Sequence, residues 1–260
     1  MKLLLAGNDS IEFGWMVSCW IPAVRKHSRS FDKTVIVCRT GHEYLYEDFA
    51  DEFVNHDPPG NSDRWLLNGR RPKIPQKILA AYPTATVCEP CEKNCTRWPR
   101  EYFKYGYGQT DEKYDIVIHA RAMTKYHQGD WNYPLEWYTK IIKELGVDSW
   151  KCASIGSPTG AHHVPRTNDL RGESLERVCR ALANSKVLVG SSSGPMHLGS
   201  LCGCPHVVIT DRSYQEAIKA TNRKRYTSLW NPFGTECVVL DRHNWKTPPH
   251  KVAKAIGEYL

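Results

Sequence analysis

The sequence contains no apolar run long enough to cross a membrane, and its first apolar run, Leu3 to Ala6, is shorter than the core of a signal peptide. We therefore expect an intracellular, cytoplasmic protein. Internal repeats and low-complexity tracts are also missing, which argues against solenoid and disordered classes. With 41% hydrophobic and 24% charged residues, the 260-residue chain has the composition of a globular protein with a substantial core.

In the absence of an export signal, the ten cysteines predict reduced thiols rather than a disulfide scaffold. Four cysteines lie within apolar strand or helix patterns and are predicted core residues: Cys38, Cys152, Cys179 and Cys237. Three others have the C-x2-C-x3-C spacing of metal ligands: Cys88, Cys91 and Cys95. These three predict either a structural zinc site, whose fourth ligand is not evident, or plain thiols in a loop.

The formal net charge of +7 is concentrated in one part of the chain. Residues 61–110 contain nine Lys or Arg against four Asp or Glu, together with seven aromatic residues. Basic side chains interleaved with aromatic rings suit a phosphate-rich or single-stranded partner. The alternative is a solubilising rim around packed aromatics. On the first interpretation, Arg70, Arg71 and Lys73 are candidate acceptor-binding residues.

Short apolar runs alternate with helical patterns, which predicts an α/β protein with parallel sheets covered by helices on both faces. The predicted strands cover 2–7, 34–39, 114–120, 151–156, 186–190, 206–211 and 236–241. The predicted helices cover 14–27, 43–54, 134–146, 174–185, 195–203, 213–222 and 249–260. Residues 58–112 are rich in turn formers and lose the periodicity, so we place a domain boundary near residue 112.

The stretch GSSSGPMHLGSLCGCP, residues 190–205, lies between two predicted strands and opens a helix. Loops at the carboxyl ends of parallel strands bind ligands, and the unpaired N–H groups of a helix N-terminus attract anions. Gly194 permits unusual backbone angles, and Pro195 suits a first helical turn. This loop therefore predicts a diphosphate site. His197 lies either beside that anion or at the helix end as a capping residue.

The run from Ser192 to Pro205 resembles the signature D-[ST]-G-x-x-H-x-A-x-x-x-G-x-P of the ADP-heptose:LPS heptosyltransferases. Residues 168–194 and the tryptophan-bearing segment 119–145 are similar to further segments of that family, in the same order. The resemblance covers about 115–211 well and the amino-terminal half more loosely. It implies a GT-B glycosyltransferase fold, in which two Rossmann-like domains with parallel sheets face a cleft.

The resemblance further implies inverting, metal-independent transfer from a nucleotide-diphosphate sugar, with no required cofactor. Residues 1–112 would form the acceptor-side domain, including the irregular basic and aromatic segment 58–112, and residues 113–260 the donor-binding domain. The family's aspartate in the signature is Ser192 in this chain, which leaves the identity of the donor open.

Inverting transfer needs a base for the acceptor hydroxyl and N–H or cationic groups for the departing diphosphate. Glu12, or alternatively Asp9, is the candidate base, and a helix-capping role for Glu12 is the alternative. The candidate donor-binding residues are Arg121, Lys125, Ser192, Ser193, Gly194, Pro195, His197, Asp169 and Glu173. Among these, Lys125 could equally be a solvated loop charge, and the two acids could be helix caps.

The acceptor is predicted to be a saccharide or, because of the basic segment, a hydroxymethylated base of DNA flipped out of its stack. A non-catalytic nucleotide-sugar-binding module on the same fold is the alternative function. Nothing in the sequence indicates an oligomeric state.

Overall fold

The computed structural model describes residues 1–7, 11–57, 73–90, 97–108, 110–123, 131–215 and 219–260. The chain forms two compact units, Met1–Phe103 and Lys104–Leu260, so the division falls earlier than the predicted boundary near 112. Within the described ranges, no helix is long and apolar enough to cross a membrane. The assignment of acceptor and donor roles to the two units stays a prediction.

The first unit is built on a parallel sheet whose described strands follow the order β3-β2-β1-β4. They are β1 (Leu3–Gly7), β2 (Lys33–Cys38), β3 (Glu52–Asn55) and β4 (Thr86–Cys88). Between β1 and β2 the chain forms α1 (Phe13–Trp15), a π-helix (Met16–Trp20) and α2 (Ile21–Ser28). Helix α3 (Gln76–Ala81) precedes β4 and buries Ile78 in a cluster with Leu5 and Val35. The segment 58–112 therefore contains a helix and a strand that the sequence pattern does not predict.

The helix predicted over 43–54 is wrong. Only Glu43–Leu45 is helical, as one 3-10 turn, and the last three residues of the segment belong to β3. The buried side chain of Arg25 explains the break, because its guanidinium donates to the Leu45 carbonyl at 3.4 Å and pairs with Asp48 at 2.7 Å. The guanidinium bonds to the Leu45 carbonyl, which a continuing helix would use for its own hydrogen bond. The residues from Glu52 to Asn55 pair with β2 instead.

The aromatic residues of the basic segment are mostly packed inside the first unit or at the start of the second. Trp98 contacts the ring of His27 at 5.0 Å, Phe103 lies 5.5 Å from the Arg25 guanidinium carbon, and Tyr105 is buried. Tyr107 is exposed. Among the described aromatics, packing therefore outweighs presentation to a ligand.

The second unit contains a six-stranded parallel sheet in the order β12-β9-β8-β5-β6-β7. Its strands are β5 (Ile116–His119), β6 (Cys152–Ser154), β7 (Asn168–Asp169), β8 (Val187–Ser191), β9 (His206–Ile209) and β12 (Cys237–Leu240). Its longer helices are α4 (Leu135–Leu145), α5 (Leu175–Ala183), α6 (Gly194–Cys202) and α8 (Pro249–Gly257).

Alternate residues of the strands face opposite sides of this sheet. Ile118 and Val189 pack in one core with Ile141 of α4 and Ile256 of α8. Helices α5 and α6 contact each other, and the Leu188 side chain lies where a Cβ on Gly199 of α6 would come within 2.4 Å. The sheet is therefore covered on both faces, as the sequence predicts.

The helix predicted over 213–222 is also wrong. The structure has the antiparallel pair β10 (Tyr214–Gln215) and β11 (Ala220–Thr221), followed by α7 (Asn222–Lys224) and a π-helix (Arg225–Leu229). The carboxylate of Asp211 accepts from the Ser213 N–H at 3.1 Å and from the Asn222 side chain at 2.6 Å. These bonds draw the two ends of the segment together, which favours a hairpin over a continuous helix.

The four predicted core cysteines lie in or beside regular elements. Cys38, Cys152 and Cys179 are buried, whereas Cys237 at the start of β12 is only partly buried.

Candidate functional site

The candidate site lies in the second unit, at the carboxyl ends of β5 and β8. These two strands are neighbours in the sheet. The chain continues from β5 into α4, which packs against α8. From β8 it continues into α6, which packs against α5. Such a reversal between neighbouring strands is a topological switch point, and open α/β sheets bind their ligands beside the carboxyl ends of the strands at such points.

His119 and Ser193 meet across this switch point. The Ser193 Oγ lies 2.9 Å from the His119 Nδ1 and 2.8 Å from the Ser191 carbonyl oxygen. A hydroxyl carries one proton, so donation to the carbonyl leaves Nδ1 of the neutral imidazole as the donor to Ser193. Burial, and then the charge of Arg121, lower the pKa of His119 to about 3. His119 is therefore neutral at physiological pH.

Glycine makes room for His119. At Gly156, with φ +125°, an added Cβ would lie 3.2 Å from the His119 Nε2 and 2.7 Å from the Ala161 Cβ. At Gly190, the added atom would lie 3.0 Å from the His119 carbonyl oxygen. Neither position accepts a larger side chain without movement of the imidazole or its backbone.

Tyr226 forms hydrogen bonds with the turn from β8 into α6. The Tyr226 hydroxyl lies 2.8 Å from the Ser192 Oγ and accepts from the Ser193 N–H at 3.1 Å. The Ser192 N–H donates to the Ile209 carbonyl at 2.9 Å. Ser193 is a predicted donor-binding residue, but its N–H is already hydrogen-bonded inside the protein. The N–H of Gly194 occupies the first helical position, where no intrahelical carbonyl is available.

His197 lies one turn into α6 and is buried rather than presented at the helix end. Its ring is parallel to that of Tyr226, with centroids 4.9 Å apart, and stands edge-on to Trp230 at 4.3 Å. Burial, and then the nearby charges of Arg225 and His206, lower the pKa of His197 to about 3. Among the described residues its Nδ1 has no hydrogen-bond partner. His197 is thus a neutral member of an aromatic cluster behind the turn.

Arg121 follows β5 and is buried. Its guanidinium donates to the Asn132 Oδ1 at 2.9 Å and to the Met123 carbonyl at 3.3 Å. It lies 5.3 Å from the ring centroid of Trp131, which stacks on Trp245 at 4.5 Å. The cation is present near the carboxyl end of β5, but protein groups hold it in place.

The two acids predicted to contact the donor are engaged by arginines. Both oxygens of Asp169 pair with Arg171 at 2.8 Å, and this pairing lowers the pKa of Asp169 to about 2. Glu173 pairs with Arg177 at 2.9 Å. The cap of α5 is Ser174, whose side chain accepts from the Arg177 N–H. Neither acid is the N-cap residue of α5, and the contact of either with a donor stays a prediction.

In the first unit, Glu12 caps α1. Its Oε1 accepts from the Gly14 N–H at 2.9 Å, and its Oε2 accepts from the Trp15 N–H at 3.0 Å. This is the capping role that the sequence left open as the alternative to a catalytic base. The base assignment stays a prediction.

The remaining predicted residues are only partly covered. Asp9, Arg70, Arg71, Cys91, Cys95 and Lys125 lie outside the described residues. Lys73 is exposed, and Cys88 is buried at the end of β4. Within the part of the chain that the structure describes, no group of three metal-ligating side chains occurs. A zinc site at the three cysteines therefore stays a prediction.

A cavity of about 430 Å³ lies at the turn between β12 and α8, next to the Arg121 cluster. Its lining residues are Asn132, Tyr133, Trp137, Trp245, Lys246, Thr247, Pro248 and Pro249, none of which the sequence analysis singles out. Asn244 and Trp245 have φ values of 44° and 65°, which are unusual for residues other than glycine.

His119 and Tyr226 also belong to the site, and the sequence pattern does not predict them. The position of His119 at the end of a predicted buried strand could have suggested it. No local pattern marks Tyr226, because its role depends on the fold of the preceding hairpin.

No family model matches the sequence, and no curated protein matches it. Solved structures do match in fold. The E. coli heptosyltransferase WaaC with ADP has a TM-score of 0.55 at 12% identity, covering 100% of both chains. The E. coli ADP-heptose lps heptosyltransferase II has a TM-score of 0.56 at 14% identity, covering 99% of both chains. A family 9 glycosyl transferase of Veillonella parvula has a TM-score of 0.53 at 14% identity, covering 100% of this chain and 92% of that one.

The match extends over the whole chain in each case, which confirms the predicted resemblance at the level of architecture. Because the identities are low, the likeness establishes the fold alone. The protein has the GT-B-type α/β fold of the heptosyltransferases.

Proposed function

We propose that the protein is a glycosyltransferase that moves a sugar from a nucleotide-diphosphate sugar to an acceptor hydroxyl, with inversion and without a metal cofactor. The observation that carries the proposal is the full-length likeness to heptosyltransferases together with the reversal of chain direction at the carboxyl ends of β5 and β8. WaaC is seen with ADP, and the second E. coli enzyme is an ADP-heptose lps heptosyltransferase. For this chain the nucleotide and the sugar are left open, because Ser192 replaces the signature aspartate.

The donor would bind at the amino end of α6. The Gly194 N–H and the positive end of the helix dipole would face the diphosphate, and the Ser193 N–H would not take part. Arg121 adds positive charge at the end of β5. Lys125, Asp169 and Glu173 remain proposed contacts.

A thermal-shift panel of UDP-, GDP-, ADP- and CMP-sugars tests donor binding. We expect one nucleotide class to raise the melting temperature, because a ligand that binds only the folded state stabilises it. If no sugar nucleotide raises the melting temperature, the proposed function is wrong. The panel also identifies the nucleobase of the donor, which the residues alone do not.

Slow hydrolysis of the donor that binds tests catalysis. We expect Glu12→Gln to abolish turnover while leaving donor binding intact, if Glu12 is the base. Exposed Glu47 of the same unit offers the matched control Glu47→Gln, which should behave as wild type. Full activity of Glu12→Gln would assign the base to another residue, with Asp9 as the next candidate.

A non-catalytic binding module is the second candidate function. The observation in its favour is that both carboxylate oxygens of Glu12 are used to cap α1. A thermal shift without hydrolysis or transfer, under conditions where the donor is saturating, would support the module over the enzyme.

The acceptor would be a saccharide or a hydroxymethylated base in DNA. Duplex binding that weakens with salt, and weakens further in an Arg70→Ala, Arg71→Ala and Lys73→Ala triple variant, would support DNA. Binding that does not respond to salt would leave a saccharide as the proposed acceptor.

A further inference from the structure

The hydroxyl of Tyr226 contacts three groups of the turn that starts α6. It lies 2.8 Å from the Ser192 Oγ, accepts from the Ser193 N–H at 3.1 Å, and is 3.5 Å from the His197 Nε2. One donor and two acceptor positions suffice for these three contacts, because a phenolic oxygen has two lone pairs and one proton. A single side chain thus contacts two successive residues of the turn and His197 in the first turn of the helix.

Tyr226 is not placed to swing away from the turn. The side chain is 0% exposed, lies parallel to the ring of His197, and packs nearly at a right angle to the ring of Trp230, whose centroid is 5.5 Å away. Moving the phenol would break both ring contacts and remove the hydrogen-bond partner of the part-buried Ser193 N–H. A gate, in which a phosphate displaces the hydroxyl, is therefore disfavoured relative to a fixed support.

The hydrogen bonds of Ser192 and Ser193 also determine where the Gly194 N–H points. Ser192 is tied to β9 through its N–H, and Ser193 is tied to Tyr226 through its N–H and to His119 through its Oγ. With both preceding residues fixed, the backbone enters α6 at one orientation. The N–H at the first helical position is then pre-oriented for an anion, without an ordering cost upon binding.

We propose that Tyr226 is a positioning residue of the donor site, which holds the Ser192–Ser193 turn so that the start of α6 is pre-oriented for the diphosphate of the donor. This inference rests on the proposed function. Tyr226 itself does not contact the donor; it acts through the backbone of the turn.

Tyr226→Phe removes the hydroxyl and retains both ring contacts, so the variant should fold. We expect its affinity for UDP, GDP or ADP, whichever binds the wild type, to fall by about tenfold, which is the scale of one well-formed hydrogen bond. The affinity for the matching nucleoside, which has no phosphate, should stay within about twofold. Isothermal titration calorimetry with both ligands gives the two values. An unchanged or tighter diphosphate affinity would overturn the proposal, and a tighter one would support a hydroxyl that competes with phosphate.

Tyr133→Phe is the matched control. The Tyr133 hydroxyl also contacts two backbone groups of the second unit, the Trp245 carbonyl and the Thr247 N–H. Tyr133→Phe should lower the melting temperature by about as much as Tyr226→Phe does. It should leave the ratio of diphosphate to nucleoside affinity at the wild-type value. An equal loss of that ratio in both variants would mean that Tyr226 acts only through stability.

Amide hydrogen exchange separates this proposal from the proposed function. In Tyr226→Phe, exchange in a peptide that covers residues 190–196 should be faster than in the wild type, and exchange in residues 135–145 should be unchanged. If the wild type binds no nucleotide, the proposed function fails and this exchange measurement alone decides whether Tyr226 holds the turn. Unchanged exchange at 190–196 would overturn the positioning role in either case.

Discussion

The second unit should lose stability steeply in mild acid, because three of its histidines are buried in the neutral form. Burial lowers the pKa of His119 and His197 to about 3 and that of His206 to about 4, from an ordinary value of 6.5. In the unfolded chain all three regain the ordinary pKa. Between these values the unfolded state binds protons that the folded state does not, so the free energy of unfolding falls as the pH falls below about 6.5.

The magnitude follows from proton linkage. At pH 5 each unfolded histidine is favoured by about 2 kcal/mol through protonation, so three give a loss of about 6 kcal/mol relative to pH 7.5. The figure depends little on the folded pKa values, since all three lie at or below about 4. Asp169, whose pKa is lowered to about 2, is still ionised at pH 5 and does not contribute to this loss. Typical domains are stable by about 5–15 kcal/mol, so the effect should be large.

Urea unfolding followed by tryptophan fluorescence at pH 7.5, 6.0 and 5.0, at constant ionic strength, measures this loss. His197→Phe keeps an aromatic ring in the cluster and removes one titrating group, so its loss should be smaller by about 2 kcal/mol. His243 is exposed, and His243→Gln is the control that should keep the wild-type dependence. A free energy of unfolding that changes by less than about 1 kcal/mol between pH 7.5 and 5.0 would refute the reasoning.

Three further changes test the packing. Gly199→Ala places a methyl group within 2.4 Å of the Leu188 Cδ2 and should cost about 1–3 kcal/mol in denaturant unfolding; a neutral outcome would show that α6 can move away from the sheet. Asp48→Asn removes the charge that pairs with the buried Arg25 at 2.7 Å, and about 3–5 kcal/mol should be lost from the first unit by the same measurement, unless another group compensates the guanidinium. Glu12→Ala removes the cap of α1 and should lower the free energy of unfolding by about 0.5–2 kcal/mol, whereas no loss would mean that water replaces the carboxylate.

The sequence alone determined the elements whose residues contact mainly their own neighbours or a buried sheet. The runs at β1, β2, β5, β8, β9 and β12 are apolar enough to specify buried parallel strands, and the amphipathic patterns of α4, α5 and α8 specify helices that cover them. The strand, turn and helix around Gly194 were likewise predictable, because Gly permits a sharp turn and Pro suits the first helical turn, both of which are local effects.

Tertiary structure decided the rest. Residues 43–54 and 213–222 have helical patterns, yet the buried guanidinium of Arg25 and the carboxylate of Asp211 redirect their backbones through contacts that no local pattern encodes. The partner of the Ser193 N–H was decided in the same way, since Tyr226 lies 33 residues further along the chain, beyond the β10–β11 hairpin. Local sequence fixes which backbone groups need a partner, whereas only the folded chain determines which group supplies it.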